Sequence, residues 1–113
     1  MSQRDPWVRV LHMRDYATQA LEMARGRTEQ DLHSDCMFRY ALVHLVELVG
    51  EAATHVDAAT RELAPGIAWP RIVSTRNRLI HGYDYIDYEV LWGIVEGELP
   101  GLLEELTKLL AKR

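Results

Sequence analysis

The chain has 113 residues, 48% apolar and 27% charged, with a formal net charge of −4. That length predicts one domain over residues 1–113 with room for a real core, in a composition ordinary for a soluble globular protein. The acidic balance argues against a broad basic face for nucleic acid, so contact with a polyanion has to be local; there is no run of eighteen apolar residues to span a membrane, no apolar stretch behind Met1-Ser2-Gln3-Arg4-Asp5-Pro6 to act as a secretory signal, and with Cys36 alone there is no internal disulfide, which fits a reducing cytosol.

Strand signals are nearly absent, and the apolar periodicity predicts an all-α protein, a four- or five-helix up-down bundle. A first helix is expected from about Asp5 to Arg25, with Asp5 as cap, Pro6 at the first position and Gly26 as the stop. Its approximate apolar stripe is Trp7, Leu11, Ala17, Leu21 and Ala24. A second helix is expected from about Asp31 to Val56, with Phe38, Leu42, Leu45, Val46, Val49 and Ala53 on one face. Gly50 inside it lowers helix stability by about 1 kcal/mol relative to alanine, a penalty explained if another helix comes close. Cys36 is read as a small packing residue in this helix.

Ala64-Pro65-Gly66 is a loop. A third helix should start at Trp69-Pro70 and run to about His81, with Gly82 ending it. Tyr83 to Tyr88 reads as a connection, and Asp87 can cap a fourth helix to about Ala111, bent at Pro100-Gly101. Leu91, Val95, Leu99, Leu102, Leu106, Leu109 and Leu110 supply its stripe. The apolar face of the second helix is wider than so small a bundle can cover, which points to a homodimer.

The chemistry concentrates in Arg76-Asn77-Arg78-Leu79-Ile80-His81-Gly82-Tyr83: arginine, four residues, histidine, one residue, tyrosine. Guanidinium offers a permanent charge and a fork that fits phosphate oxygens. Imidazole titrates near neutrality and serves as general base or acid. RNA carries its own nucleophile in the 2′-hydroxyl, so Arg76 and His81 have the types needed to cleave it without a metal. Arg71, Arg76 and Arg78 form the densest basic cluster outside the termini, and a dimer would double it. Five residues on a straight helix amount to about 500°, leaving Arg76 and His81 some 140° apart; convergence requires a bend near the helix end, a partner subunit, or both. Asn77, four residues before His81, shares its helical face and can orient the imidazole.

Other constellations fail. His33, His44 and His55 recur every eleven residues, about 16 Å per step on a helix, too far to share an ion. His44, Glu47, Glu51 and His55 form a polar line without the Glu-x-x-His order of di-iron bundles or a His-Glu-x-x-His motif; a hydrogen-bonded or dimer-facing stripe is the expectation. There is no Gly-rich phosphate loop, serine elbow or cysteine cluster. Trp7, Trp69 and Trp92 are expected in core or interface, as is Tyr88 in core or surface contact; Tyr85 is left open, and Tyr83 stands near enough to His81 to touch substrate or be modified.

Taken together, these segments resemble the HepT-like branch of the HEPN superfamily, the toxin halves of MNT/HEPN toxin–antitoxin modules. Glu47-Leu48-Val49-Gly50-Glu51-Ala52-Ala53 is similar to the family's Glu-x-x-Gly-Glu-Ala segment, and Ile67-Ala68-Trp69 to its Ile-Pro-Trp entry, with Ala68 in place of proline. Arg76 to Tyr83 resembles its Arg-Asn-x-Leu-x-His-x-Tyr core, and Asp87, Trp92 and Leu99-Pro100 follow in order. The resemblance covers essentially the whole chain. It implies a dimer whose Arg–His pairs line one cleft, and a metal-independent endoribonuclease toxin with no cofactor of its own. Arg76 would bind and polarise the phosphate, His81 would move the proton and Asn77 would keep the site in order. It further implies a nucleotidyltransferase antitoxin that uses ATP to attach AMP to Tyr83, blocking RNA by bulk and charge. The alternative is a non-catalytic module that binds a nucleotide or protein and serves as substrate or adaptor for the nucleotidyltransferase.

Overall fold

The computed structural model describes residues 5–81 and 85–113. Asp5 opens helix α1 (Pro6–Ala24): its carboxylate accepts from the Trp7 amide at 2.9 Å, and Pro6 takes the first turn, where no amide proton is required. Gly26, at φ 75°, turns the chain out of it. The residues α1 buries completely are Val10, Met13, Ala17 and Ala20. The expected stripe is therefore corrected: Ala17 belongs to it, whereas Trp7, Leu11, Leu21 and Ala24 are only partly buried against its flanks. The small row lets α1 lie close along α3, its principal neighbour.

The expected second helix is two. Helix α2 (Glu29–Ser34) starts where Asp31 turns back to accept from the Thr28 amide at 2.7 Å. It stops at Asp35, whose Oδ1 accepts from the Phe38 amide at 3.1 Å and so begins α3 (Cys36–Thr54) instead of prolonging α2. Arg27 holds the other oxygen of Asp35 at 2.8 Å and lies over the Phe38 ring, 4.0 Å from its centroid. All six residues of the expected α3 stripe are buried. Cys36 is not a packing residue: it sits at the first position of α3 and is exposed, as are Met37 and Tyr40 beside it.

A short helix, α4 (Ala58–Glu62), capped by Asp57 onto the Thr60 amide at 2.8 Å, precedes the expected loop. Helices α5 (Trp69–Val73) and α6 (Thr75–Leu79) then lie against α3. The last helical run comprises α7 (Tyr88–Gly93), a single π-turn (Ile94–Glu98) and α8 (Leu99–Leu110). Pro100 has no amide to bond within the ladder, and the turn before it widens, so that the Leu99 amide reaches back to Ile94. Its seven expected stripe residues are all buried, joined by Trp92 and Ile94. Among the described residues the one β pairing is an isolated antiparallel bridge between Ile80 and Ile86, and no helix is long and apolar enough to cross a membrane. The architecture is an all-α helical bundle.

Gly50 marks a close helix contact: a Cβ there would stand 2.9 Å from the Ile72 carbonyl oxygen and 3.2 Å from Thr75 Cβ. Alanine at this position would gain about 1 kcal/mol in helix propensity, but overpacking against backbone costs about 1–3 kcal/mol, and a carbonyl between two packed helices has little freedom to yield. Gly50→Ala should therefore lower the thermal midpoint by about 5 °C, read by circular dichroism; a higher midpoint would show that the contact has slack.

Candidate active site

The site begins with a helix that breaks twice. Pro70 sits in the first turn of α5, and the buried Trp69 ring anchors that turn by donating from Nε1 to the Ala64 carbonyl at 3.1 Å. At Ser74 the hydroxyls bond back into the chain, Ser74 Oγ to the Arg71 carbonyl at 2.9 Å and Thr75 Oγ1 to the Ile72 carbonyl at 2.6 Å. Such bonds compete with the helical ladder and set α6 off from α5.

The second break carries His81. Helix α6 ends at Leu79, two residues short of the expected end at about His81, and Ile80 is extended at φ −108°, ψ 118°. The expected stop, Gly82, lies outside the described residues, as does Tyr83. Two backbone bonds clasp the segment: the Asp87 amide donates to the Leu79 carbonyl at 2.8 Å, and the His81 amide to the Tyr85 carbonyl at 2.9 Å. This is the bend that the Arg76–His81 spacing demands. His81 leaves the helical phase altogether, so the angle of a straight helix no longer fixes its direction relative to Arg76.

Arg76 projects from α6 with its side chain 75% exposed, and its one ion pair among the described residues is a long one, Nη1 to Glu47 Oε2 at 3.8 Å. That Glu47 oxygen is buried and has no hydrogen-bond partner among the described residues. The His81 side chain is 55% exposed; its Nε2 stands 3.4 Å from Asp87 Oδ2, and its ring lies 5.7 Å from that of Tyr85, tilted by 48°. Asn77 is exposed on α6. The imidazole contacts found are with Asp87 and Tyr85, and Asn77 makes no side-chain hydrogen bond among the described residues. Two shallow troughs run along the outer face of α3, one of about 310 Å³ beside Arg76, Glu51 and Thr54, the other of about 590 Å³ beside Arg39, Tyr40, Ile86 and Tyr88. Both are lined by His44 and Glu47, so the two adjoin there, and Arg76 borders this path at the smaller one.

The polar line on α3 is part of this path. His55 pairs with Glu51 at 3.1 Å, and among the described residues no group of three or more His, Cys, Asp or Glu side chains is disposed to hold a metal ion. The basic cluster divides. Arg78 and Arg71 both grip Glu98 in the π-turn, Arg78 Nη1 on Oε1 at 3.0 Å and Arg71 Nη2 on Oε2 at 3.0 Å. Arg76 alone of the three faces the path. Two participants had no clear signal for their role in the sequence: Glu98, whose pairing joins residues 20 and 27 positions apart, and Asp87, legible as a helix cap and a position of the family resemblance but not as a partner of His81.

Burial pushes the Glu98 carboxyl up, but hydrogen bonds from Arg78 and Arg71 outweigh it and hold the group below its ordinary 4.5. A carboxylate with a depressed folded-state pKa adds stability above its unfolded value, and loses it as pH falls through the folded value. Wild type should therefore lose thermal stability below about pH 4.5 more steeply than Glu98→Gln. The variant should start lower at neutral pH, with two arginines deprived of their anion. Parallel curves from a pH series of thermal melts would refute the assignment.

Residues 13–109 match the family model described as Ribonuclease HepT-like. A Methanocaldococcus jannaschii protein described as a candidate RNase is 32% identical over 106 residues, covering 94% of this chain and 97% of the relative. A Thermococcus cleftensis protein named as a probable ribonuclease HepT is 31% identical over 88 residues, covering 78% of this chain and 80% of the relative. A Caldanaerobacter subterraneus protein, also described as a candidate RNase, is 28% identical over 92 residues, 81% of this chain and 82% of its own. No solved structure matches. With the helical fold, the Arg76–His81 segment at a helix end and a family match across most of its length, the chain belongs to the HepT-like ribonuclease family.

Proposed function

We propose that this protein is a metal-independent endoribonuclease acting as the toxin of a toxin–antitoxin module. The observation that carries the reading is an exposed, weakly engaged Arg76 on α6 and an exposed His81 just past the end of the same helix. In the proposed reaction Arg76 takes the scissile phosphate and neutralises charge as it builds on the oxygens. His81 accepts the proton of the 2′-hydroxyl. The bond from 2′-oxygen to phosphorus forms as the bond to the 5′-oxygen breaks, leaving a cyclic phosphate; the departing oxygen takes a proton from a general acid, a role open to the equivalent imidazole of a second copy. Asn77 lies exposed beside Arg76 without a side-chain hydrogen bond among the described residues, so an ordering role for it acts on bound RNA or a second copy. The chain needs no cofactor for this chemistry.

Met37 and Tyr40, exposed on α3 next to the path, support dimerisation with both Arg–His pairs in one cleft. The cognate partner is a nucleotidyltransferase antitoxin of the cytoplasm, and its target is Tyr83, where AMP would set bulk and negative charge against the phosphate subsite.

A second reading has an observation of its own. With the net charge at −4 and Arg71 and Arg78 committed to Glu98, little positive potential remains to draw in a polyanion. That favours a non-catalytic module which binds a nucleotide or protein and serves as adaptor or substrate for the nucleotidyltransferase.

The two separate in one experiment. The protein is purified with and without the nucleotidyltransferase, weighed intact and incubated with total RNA. The toxin reading expects the unmodified form to cleave, and a form heavier by AMP units on Tyr83 to be inactive. Arg76→Ala should lower kcat/KM by about 100-fold or more, and His81→Ala by about 100- to 10,000-fold. A folded, unmodified protein that cleaves no RNA leaves the adaptor reading.

A further inference from the structure

His81 is half in solvent, on a segment with no helix to hold it, and an imidazole that moves proton at a defined atom needs its ring turned and its tautomer set. Among the described residues, one side chain is placed to do both. Asp87 Oδ2 lies 3.4 Å from His81 Nε2, within ion-pair reach and a few tenths of an ångström longer than a formed hydrogen bond, so a small turn of the ring closes it. The carboxylate is itself fixed twice: Oδ1 accepts from the Val90 amide at 3.0 Å, capping α7, and the Asp87 backbone amide donates to Leu79 at 2.8 Å. Because the clasp closes between Leu79 and Asp87, the loop that carries the imidazole also delivers its acid. We propose that Asp87 is a positioning residue for His81: it accepts Nε2–H, holds the neutral ring as that tautomer, and leaves Nδ1 as the bare nitrogen that meets the substrate hydroxyl. The assignment of catalysis to this nitrogen rests on the ribonuclease reading above; the contact between the two side chains does not.

The cap makes the test selective. Asparagine caps helices as well as aspartate does, and in Asp87→Asn the amide oxygen is required at the Val90 amide, which turns the NH₂ toward the imidazole. A donor there demands an acceptor, so Nε2 loses its proton and Nδ1 gains it. The variant keeps the fold and inverts the tautomer, the same logic by which removing the triad carboxylate disables a serine protease. Asp87→Ser keeps a capping hydroxyl but has nothing long enough to reach the ring.

The decisive measurement pairs kinetics with spectroscopy on the full chain. Cleavage of a quenched fluorescent RNA oligonucleotide gives kcat and KM. Long-range ¹⁵N–¹H correlation spectra at mildly alkaline pH give the His81 tautomer, its signal identified by subtraction against His81→Ala. The expected result is an unchanged melting midpoint for Asp87→Asn, with kcat down about 100-fold or more, KM within about twofold as befits a group that does not touch substrate, and the ring proton moved from Nε2 to Nδ1. Asp87→Ser should show a smaller fall in kcat and a mixed tautomer, and it carries the test if the asparagine variant does not fold. A wild-type tautomer in these variants, or kcat within about twofold of wild type while His81→Ala is inactive, overturns the proposal and leaves the ribonuclease reading intact. If wild type cleaves no RNA, that reading falls, and the tautomer comparison alone decides whether Asp87 governs His81.

Discussion

The approach of α5 and α6 to α3 is the contact on which the site depends, and it exists because position 50 has no side chain. The Ile72 carbonyl and the Thr75 methine occupy the space a Cβ would take, so the backbone of the motif segment rests almost directly on α3. Glu47, one turn before Gly50 on α3, is thereby brought beneath Arg76, four residues beyond Ile72. A glycine in a helix interior lowers local stability by about 1 kcal/mol; here the return is a short, inflexible distance between the helix that carries the guanidinium and the one that floors the path below it.

Charge is then distributed so that the three arginines of the segment differ. Glu98 takes two of them in short ion pairs, with Arg78 only 19% exposed and therefore well committed. Those pairs tie α5 and α6 to the π-turn, and the bidentate, partly buried Arg78 pair is worth more than a surface bridge such as that of the exposed Arg71. Arg76 meets Glu47 at 3.8 Å, outside good hydrogen-bond distance. A cation tightly paired to a carboxylate would have to break that pair to receive a phosphate; one held loosely is oriented by it and stays available.

Much of this was legible in the sequence where periodicity carries the signal. The α3 and α7–α8 stripes emerged because large apolar residues recur at helical spacing along one face. The close contact at Gly50 was legible because a glycine amid good helix formers needs a reason. The α1 stripe was right only at Ala17, because large residues, Leu11 and Leu21, draw attention from the row of Val10, Met13 and Ala20 that is buried. The break at Asp35 was missed because a carboxylate near a helix start can cap or be solvated, and only the Phe38 amide and Arg27 decide between them. Arg76 and His81 were found as residue types at a spacing, but their relation was not: the turn at Ile80 depends on a bridge to Ile86, and no local pattern encodes a pairing across a loop.

The same clasp explains why one short loop serves several ends. A histidine at the last turn of a helix would be swept by the helix macrodipole and would share its face with Asn77. By ending α6 at Leu79 and returning through Ile86, the chain moves His81 off that axis and replaces the diffuse field of a helix terminus with a single carboxylate at 3.4 Å. The carboxylate belongs to the first capping group of the next helix, so any shift of α7 against the motif segment would move the acid relative to the imidazole. The geometry of the site is thus set by packing between α6 and α7, within the bundle itself, while the groups that meet solvent remain Arg76 and His81.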